Sequence, residues 1–178
     1  MSIHRELYKY YTGIGSRETP SSILDEMTHI AKILNQKDYI LRSGGAMGAD
    51  TAFKNGAGIK CKIYVPWNNY NNLEYKYPIP NEAFIIAVKL HPVWVKLTDG
   101  AKKLMARNTM QILGENLDDK SYFVICWTKD GAKEFKEVTS RTGGTGLAIK
   151  LARENNIPVY NLKNDSCRDN LHNFLRIL

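Results

Sequence analysis

Short apolar runs and longer amphipathic runs take turns along this chain. Tyr8 to Thr12 has the apolar character of a strand and stops at Gly13. Thr19-Pro20 then opens a helix, with Thr as N-cap and Pro in the first helical position, and the helix runs to about Gln36. Within it Ile23, Leu24, Met27, Ile30, Ala31 and Leu34 recur every three or four residues and predict one buried stripe. Tyr39 to Arg42 reads as a second strand, Gly48 to Gly58 as a short helix, and Cys61 to Val65 as a third strand ended by Pro66. Residues 67–80 predict a long polar, aromatic loop, with Trp67, Tyr70, Tyr75 and Tyr77 set among asparagines. Unstructured segments of that length are often functional. Glu82 to Leu90 and Asp99 to Leu113 predict two helices, the first broken by His91-Pro92. Tyr122 to Trp127 is the most apolar run and predicts a central strand. A charged excursion, Lys129 to Arg141, leads to a helix over Gly144 to Asn156, a strand over Ile157 to Asn161, and a closing helix over Arg168 to Leu178.

The predicted order is therefore βαβαβ, a helical insert at about 81–114, then βαβα. Strands that alternate with helices pair in parallel through right-handed crossovers. The pattern predicts an α/β, Rossmann-like three-layer sandwich around a mainly parallel five-stranded sheet, with residues 1–178 forming a single domain.

Three glycine-rich turns punctuate this pattern: Thr12-Gly13-Ile14-Gly15-Ser16-Arg17, Ser43-Gly44-Gly45-Ala46-Met47-Gly48-Ala49-Asp50 and Thr142-Gly143-Gly144-Thr145-Gly146. Each is expected at the junction of a strand and a helix. In a parallel sheet such junctions share one edge, where ligands bind. Glycine turns expose backbone N–H groups, and helix N-termini carry partial positive charge, so the three turns predict a phosphate-binding cleft. The first turn lacks the third glycine of the dinucleotide fingerprint, because Glu18 occupies it. Arg42, and no acid, ends the second strand. An ordinary nicotinamide-dependent dehydrogenase is thereby disfavoured, and no cofactor is expected.

Composition narrows the partner. Of 178 residues, 43% are hydrophobic and 24% charged, which are ordinary globular values. The net charge of +7 points to an anionic partner. The basic residues are scattered along the chain, so a nucleic-acid groove and a merely basic surface stay equally open. No apolar run is long enough to span a membrane. The N-terminus, Met1 to Glu6, lacks the apolar core of a signal peptide. Cys61, Cys126 and Cys167 lie far apart, so neither a metal cluster nor a disulfide framework is expected. A reducing, cytoplasmic compartment fits best.

The candidate ligand residues are Gly13, Gly15, Ser16, Arg17, Ser43, Gly44, Gly45, Met47, Asp50, Trp67, His91, Arg107, Asn108, Gly143, Gly144 and Thr145. Ser16 and Arg17 offer a hydroxyl and a guanidinium to an anion beside backbone N–H groups. Asp50 has two readings, as complement to a helix dipole or as ribose acceptor and general base. Arg107 shares a helix face with Gln111, and a solvated face is the alternative to a ligand contact there. Trp67 suits base stacking or a place in the core or a lid.

At these motifs the chain resembles the nucleotide-binding Rossmann superfamily called SLOG, which includes the DNA-processing protein A (Smf) family and the LOG cytokinin-activating enzymes. The matching stretches are Tyr11 to Pro20, Leu41 to Ala52, and Gly143-Gly144-Thr145-Gly146 with Ile157 to Leu162. Small phage-type relatives are similar also at His91-Pro92-Val93-Trp94 and Ala106-Arg107-Asn108. The resemblance implies a nucleotide or nucleotide-derived ligand, such as ADP-ribose or a cyclic ADP-ribose derivative. It implies a sensor, or a phage sponge acting against host defence in the host cytoplasm. It also implies homo-oligomers. LOG-type enzymes hydrolyse the N-glycosidic bond of nucleoside monophosphates. Where they carry a catalytic Glu this chain has Lys150, so Asp50 or Glu18, with Arg107, would have to take the role. A third implication is single-stranded DNA binding of the DNA-processing protein A kind.

Overall fold

A computed structural model describes residues 8–178; the N-terminal segment Met1 to Glu6 read above lies outside the described residues. Among the described residues, five parallel strands form one sheet in the order β3-β2-β1-β4-β5. They are β1 (Lys9–Gly13), β2 (Tyr39–Ser43), β3 (Cys61–Ile63), β4 (Val124–Cys126) and β5 (Val159–Asn161). The fold is Rossmann-like α/β, with all strand pairs parallel. Chain order runs outward from β1 in both directions, so β1 and β4 flank the point where the winding reverses. Ligands of such sheets sit beyond the C-terminal ends of those strands.

Among the described residues, six α-helices cover the two faces. Helices α1 (Ser21–Gln36), α2 (Ala49–Ala57) and α6 (Asp165–Ile177) pack on one face. Their apolar stripes, including Met27, Ile30, Leu34 and Phe53, close over Tyr11, Leu41, Phe123 and Ile125. Helices α3 (Asn81–Leu90), α4 (Asp99–Leu113) and α5 (Thr145–Glu154) cover the other face, where Ile112, Leu147, Ile149 and Leu151 pack against Val124, Cys126 and Val159. The segment expected as an insert thus supplies two helices of the second layer. Its helix α4 packs Ile112 on the sheet, and Thr12 donates its hydroxyl to the Gln111 carbonyl at 2.5 Å.

The start of α1 differs from the sequence expectation. Pro20 is the N-cap and has no side-chain cap bond. The Thr19 hydroxyl instead donates back to the Ser16 carbonyl at 2.7 Å. Thr19 therefore tightens the first glycine turn and leaves the helix uncapped. The third strand ends at Ile63, two residues early. Residues 67–80 hold no helix or strand beyond an isolated Tyr70–Leu73 bridge. The excursion before α5 contains two short 3₁₀ turns, Phe135–Glu137 and Ser140–Thr142. The closing helix begins at Asp165, earlier than Arg168, because Asn164 caps it by accepting from the Cys167 N–H at 3.2 Å.

The tight α1–α2 crossing depends on Gly56. A Cβ there would run into the Thr28 carbonyl oxygen and the Ala31 methyl. Helix propensity alone favours Ala over Gly by about 1 kcal/mol. The steric cost of overpacking, typically 1–3 kcal/mol, opposes it and wins because the obstacle is backbone. Gly56→Ala is thus expected to lower stability by about 1–2 kcal/mol in urea melts. A more stable variant would mean that the helices can part without cost.

Candidate functional site

The cleft at the C-terminal sheet edge has a volume of about 430 Å³. All three glycine turns reach it: Gly15, Ser16 and Arg17 from the first, Ala46 and Asp50 from the second, and Thr142 to Thr145 from the third. Helix α4 forms the remaining wall through Met105, Arg107 and Asn108.

The turns differ in what they still offer. In the first, the Ser16 N–H donates to the Trp127 carbonyl at 3.1 Å, and the Glu18 N–H donates to the Ser16 hydroxyl oxygen at 3.1 Å. Of the amides expected to face an anion there, that of Ser16 is spent because the β1–β4 pairing continues past the strand ends, and that of Gly15 goes to the Asp50 carboxyl; the Arg17 N–H finds no acceptor among the described residues. The turn also contributes the Arg17 side chain. In the second turn, Asp50 holds part of the backbone. It accepts from the Ala46 N–H at 3.2 Å and also receives the N–H groups of Gly44 and Gly15. The Asp50 carboxyl thus joins the first and second turns. Burial pushes its pKa up to about 6, with the Arg107 charge and these N–H groups opposing the rise.

The third turn differs in the number of open amides that belong to cleft-lining residues. Among the described residues, the N–H groups of Gly143, Gly144 and Thr145 find no acceptor, and α5 begins without a side-chain cap. Gly143 has φ of +72°, and a Cβ on it would meet only open space. Asp130 and Thr139 shape the approach: the Thr142 hydroxyl donates to Asp130 at 2.6 Å and accepts from the Thr139 N–H at 2.9 Å. Free donors at a helix N-terminus form an anion seat.

Helix α4 sets the distance between the second and third turns. Arg107 is only 5% exposed. Its guanidinium donates to the Gly44 carbonyl and, at 3.1 Å, to the Tyr64 carbonyl. The next residue, Asn108, donates to the Gly144 carbonyl at 2.9 Å. A side chain at Gly44 would overlap the guanidinium, so glycine is required there for the arginine to enter. The Arg107 Nε is buried and has no partner among the described residues. Burial lowers the Arg107 pKa and nearby Asp50 opposes this, but a guanidinium stays charged. Tyr70 completes the wall: its hydroxyl accepts from Arg17 at 3.3 Å, and Arg107 lies 6.0 Å from its ring centre. At the rim Lys129 pairs with Glu18, and Arg141 stands exposed beside the third turn.

Of the residues expected at the ligand, Gly15, Ser16, Arg17, Asp50, Arg107, Asn108, Gly143, Gly144 and Thr145 line the cleft, as does Glu18. The others lie elsewhere. Gly13 is packed under Phe53 and Leu41. The Ser43 hydroxyl donates to the Gly13 carbonyl at 2.6 Å, tying β2 to β1. Gly44 and Gly45 turn their carbonyls to Arg107 and Asn71. Met47 points outward, Trp67 lines a second cleft, and His91 ends α3 beside Trp94. Sequence reasoning missed Tyr70, Lys129 and Arg141 as cleft residues. Their only signals were the aromatic loop and the charge of the excursion. Lys150, at the position of the LOG glutamate, donates to the Leu90 carbonyl at 3.3 Å and does not line the cleft. Among the described residues, no group of three or more His, Cys, Asp or Glu could hold a metal ion, and no helix is long and apolar enough to cross a membrane.

No protein-family model matches the chain, and no curated protein is similar to it. Among solved structures, DNA processing protein A from Helicobacter pylori, described for its single-stranded DNA binding mode, superposes with a TM-score of 0.55 at 17% identity. The match covers 85% of this chain and 64% of the other, so this chain spans less than two thirds of that neighbour. What the two share is the fold.

The raised Asp50 pKa makes a stability prediction. A carboxyl whose pKa rises on folding stabilises the native state fully below the pH where a free Asp titrates, near 4. That share is lost as pH rises through about 6. Asp50→Asn should therefore gain stability relative to the parent as pH goes from 4 to 7, by up to about 3 kcal/mol. Parallel urea stability curves for the two proteins would contradict this.

Proposed function

We propose that the cleft binds a nucleotide or nucleotide-derived ligand through its phosphate, without hydrolysing it. The observation that carries this reading is the third turn, an uncapped helix start whose cleft-lining residues Gly143, Gly144 and Thr145 have N–H groups without an acceptor among the described residues, in the same cleft as three arginines. Arg17, Arg107 and Arg141 outweigh Asp50, while Glu18 and Lys129 neutralise each other. A volume of about 430 Å³ falls within the range of small-molecule sites. ADP-ribose and cyclic ADP-ribose derivatives belong to the ligand class, and a SLOG-type sensor or phage sponge is the form of activity that fits retention without chemistry. Hydrolysis is disfavoured because each carboxylate of the cleft is engaged: Asp50 with backbone N–H groups and Glu18 with Lys129. Self-association would use the exposed apolar side chains Ile85, Val88, Val93 and Val95 on α3 and the turn after it.

A second reading, single-stranded DNA binding, is supported by the net charge of +7 and by the likeness to DNA processing protein A. The two readings separate on salt. A DNA track of several phosphates should weaken with a log–log slope of about −0.7 per contact. One mononucleotide pocket should show the slope of one or two contacts. A steep slope with an oligonucleotide and no mononucleotide binding would replace the first reading with the second.

A thermal-shift screen with AMP, ADP-ribose and cyclic ADP-ribose tests the main proposal. A binder at a hundredfold excess over its Kd stabilises the native state by about 2.7 kcal/mol. Arg17→Ala should weaken that ligand about ten- to a hundredfold, one charge-assisted contact, and change unliganded stability little. Unchanged affinity would remove Arg17 from the site. Base released from AMP on long incubation would restore the N-glycosidase reading.

A further inference from the structure

We infer that the cleft formed by the 67–80 loop and α4 is a second nucleotide subsite, which takes the base of a unit linked to the nucleotide in the main cleft. The inference rests on the phosphate reading above and adds the length of the ligand.

The second cleft has a volume of about 290 Å³ and is lined by Pro66, Trp67, Tyr75, Phe84 and Lys103. It adjoins the first. Tyr70 of the main cleft and Trp67 of the second meet edge to face, with ring centres 5.3 Å apart. Along α4, Lys103 faces the second cleft while the next residue, Leu104, faces the first. One ring pair and two adjacent residues of α4 therefore separate the two spaces. That is close enough for a single ligand to occupy both.

The chemistry of the second cleft is that of a base site. Trp67 is 38% exposed, large for an indole that is otherwise fixed by Tyr70 and by the open side of Gly100. The Tyr75 hydroxyl accepts from the Ile79 N–H at 2.9 Å, so that ring is a fixed wall. Fixed aromatic faces bind any base by stacking. Lys103 supplies a cation at the same mouth for the phosphate that joins two units. The loop is anchored to the second glycine turn, because the Asn71 side chain donates to the Gly45 carbonyl at 2.9 Å. The main cleft holds phosphate donors and one buried tyrosine; the second holds flat apolar faces and one lysine. Together they match a dinucleotide better than a mononucleotide.

The test compares AMP with two dinucleotides, pApA joined 3′–5′ and diadenosine diphosphate joined through pyrophosphate, by calorimetry on the parent and on Trp67→Leu. Leucine keeps the apolar packing and removes the stacking face. The parent should bind at least one dinucleotide about tenfold or more tighter than AMP, the magnitude expected of one stacked base. Trp67→Leu should lose that advantage and bind AMP as the parent does. Lys103→Ala should likewise weaken only the dinucleotide. Preference for pApA would identify a nucleic-acid-like ligand, and preference for the pyrophosphate form a dinucleotide signal; either supports the second subsite. Equal affinity for AMP and both dinucleotides in the parent, or an advantage that survives Trp67→Leu, would overturn it. Failure of AMP to bind at all would instead overturn the phosphate reading, and this inference with it.

Discussion

The buried guanidinium of Arg107 is the constraint around which the cleft is arranged. A cation placed 5% exposed must have hydrogen-bond acceptors, and α4 takes them from the carbonyls of Gly44 and Tyr64. This fixes the second turn against the helix. Asn108, one residue on, makes the same kind of bond to the third turn. Because α4 is held to β1 through the Thr12 hydroxyl, the three turns are positioned by one rigid element. Asp50 completes the arrangement by satisfying N–H groups of the first and second turns, at the cost of a buried carboxyl.

This division of labour explains why the turns are not equivalent. Two of them use the donors of Gly15, Ser16, Gly44 and Ala46 to hold the protein together. The third leaves Gly143, Gly144 and Thr145 with donors to spare, and glycine at 143 keeps the approach open. The anion chemistry is therefore concentrated at the start of α5, with arginine side chains arriving from the other elements. The likeness to DNA processing protein A concerns the sheet and its helices, and the site's chemistry has to be argued from these residues alone.

Much of the fold was legible because its signals are local. The alternation of short apolar runs with amphipathic helices sets five parallel strands, and the periodic stripe of α1 is buried where the spacing placed it, at Met27, Ile30, Ala31 and Leu34. The convergence of the three turns followed from parallel topology. Their inner roles were not legible. Whether the Ser16 N–H faces a ligand or the Trp127 carbonyl depends on where β1 and β4 stop pairing, a long-range matter. Arg107 and Asn108 were found as residues but not as braces, since their acceptors lie 36 or more positions away in sequence. Trp67 was read for stacking, yet Tyr70, three residues on, is the ring that enters the main cleft. An irregular loop gives no period from which to tell them apart.

The central claim is that the start of α5 is the anion seat and that the other two turns only frame it. Backbone amide shifts recorded by NMR during titration with AMP test this most directly. The account predicts the largest, saturable shifts at Gly143, Gly144 and Thr145, with small changes at Ser16 and Ala46, whose N–H groups are already engaged. Saturable shifts centred on the first or second turn, with the third turn unmoved, would contradict it.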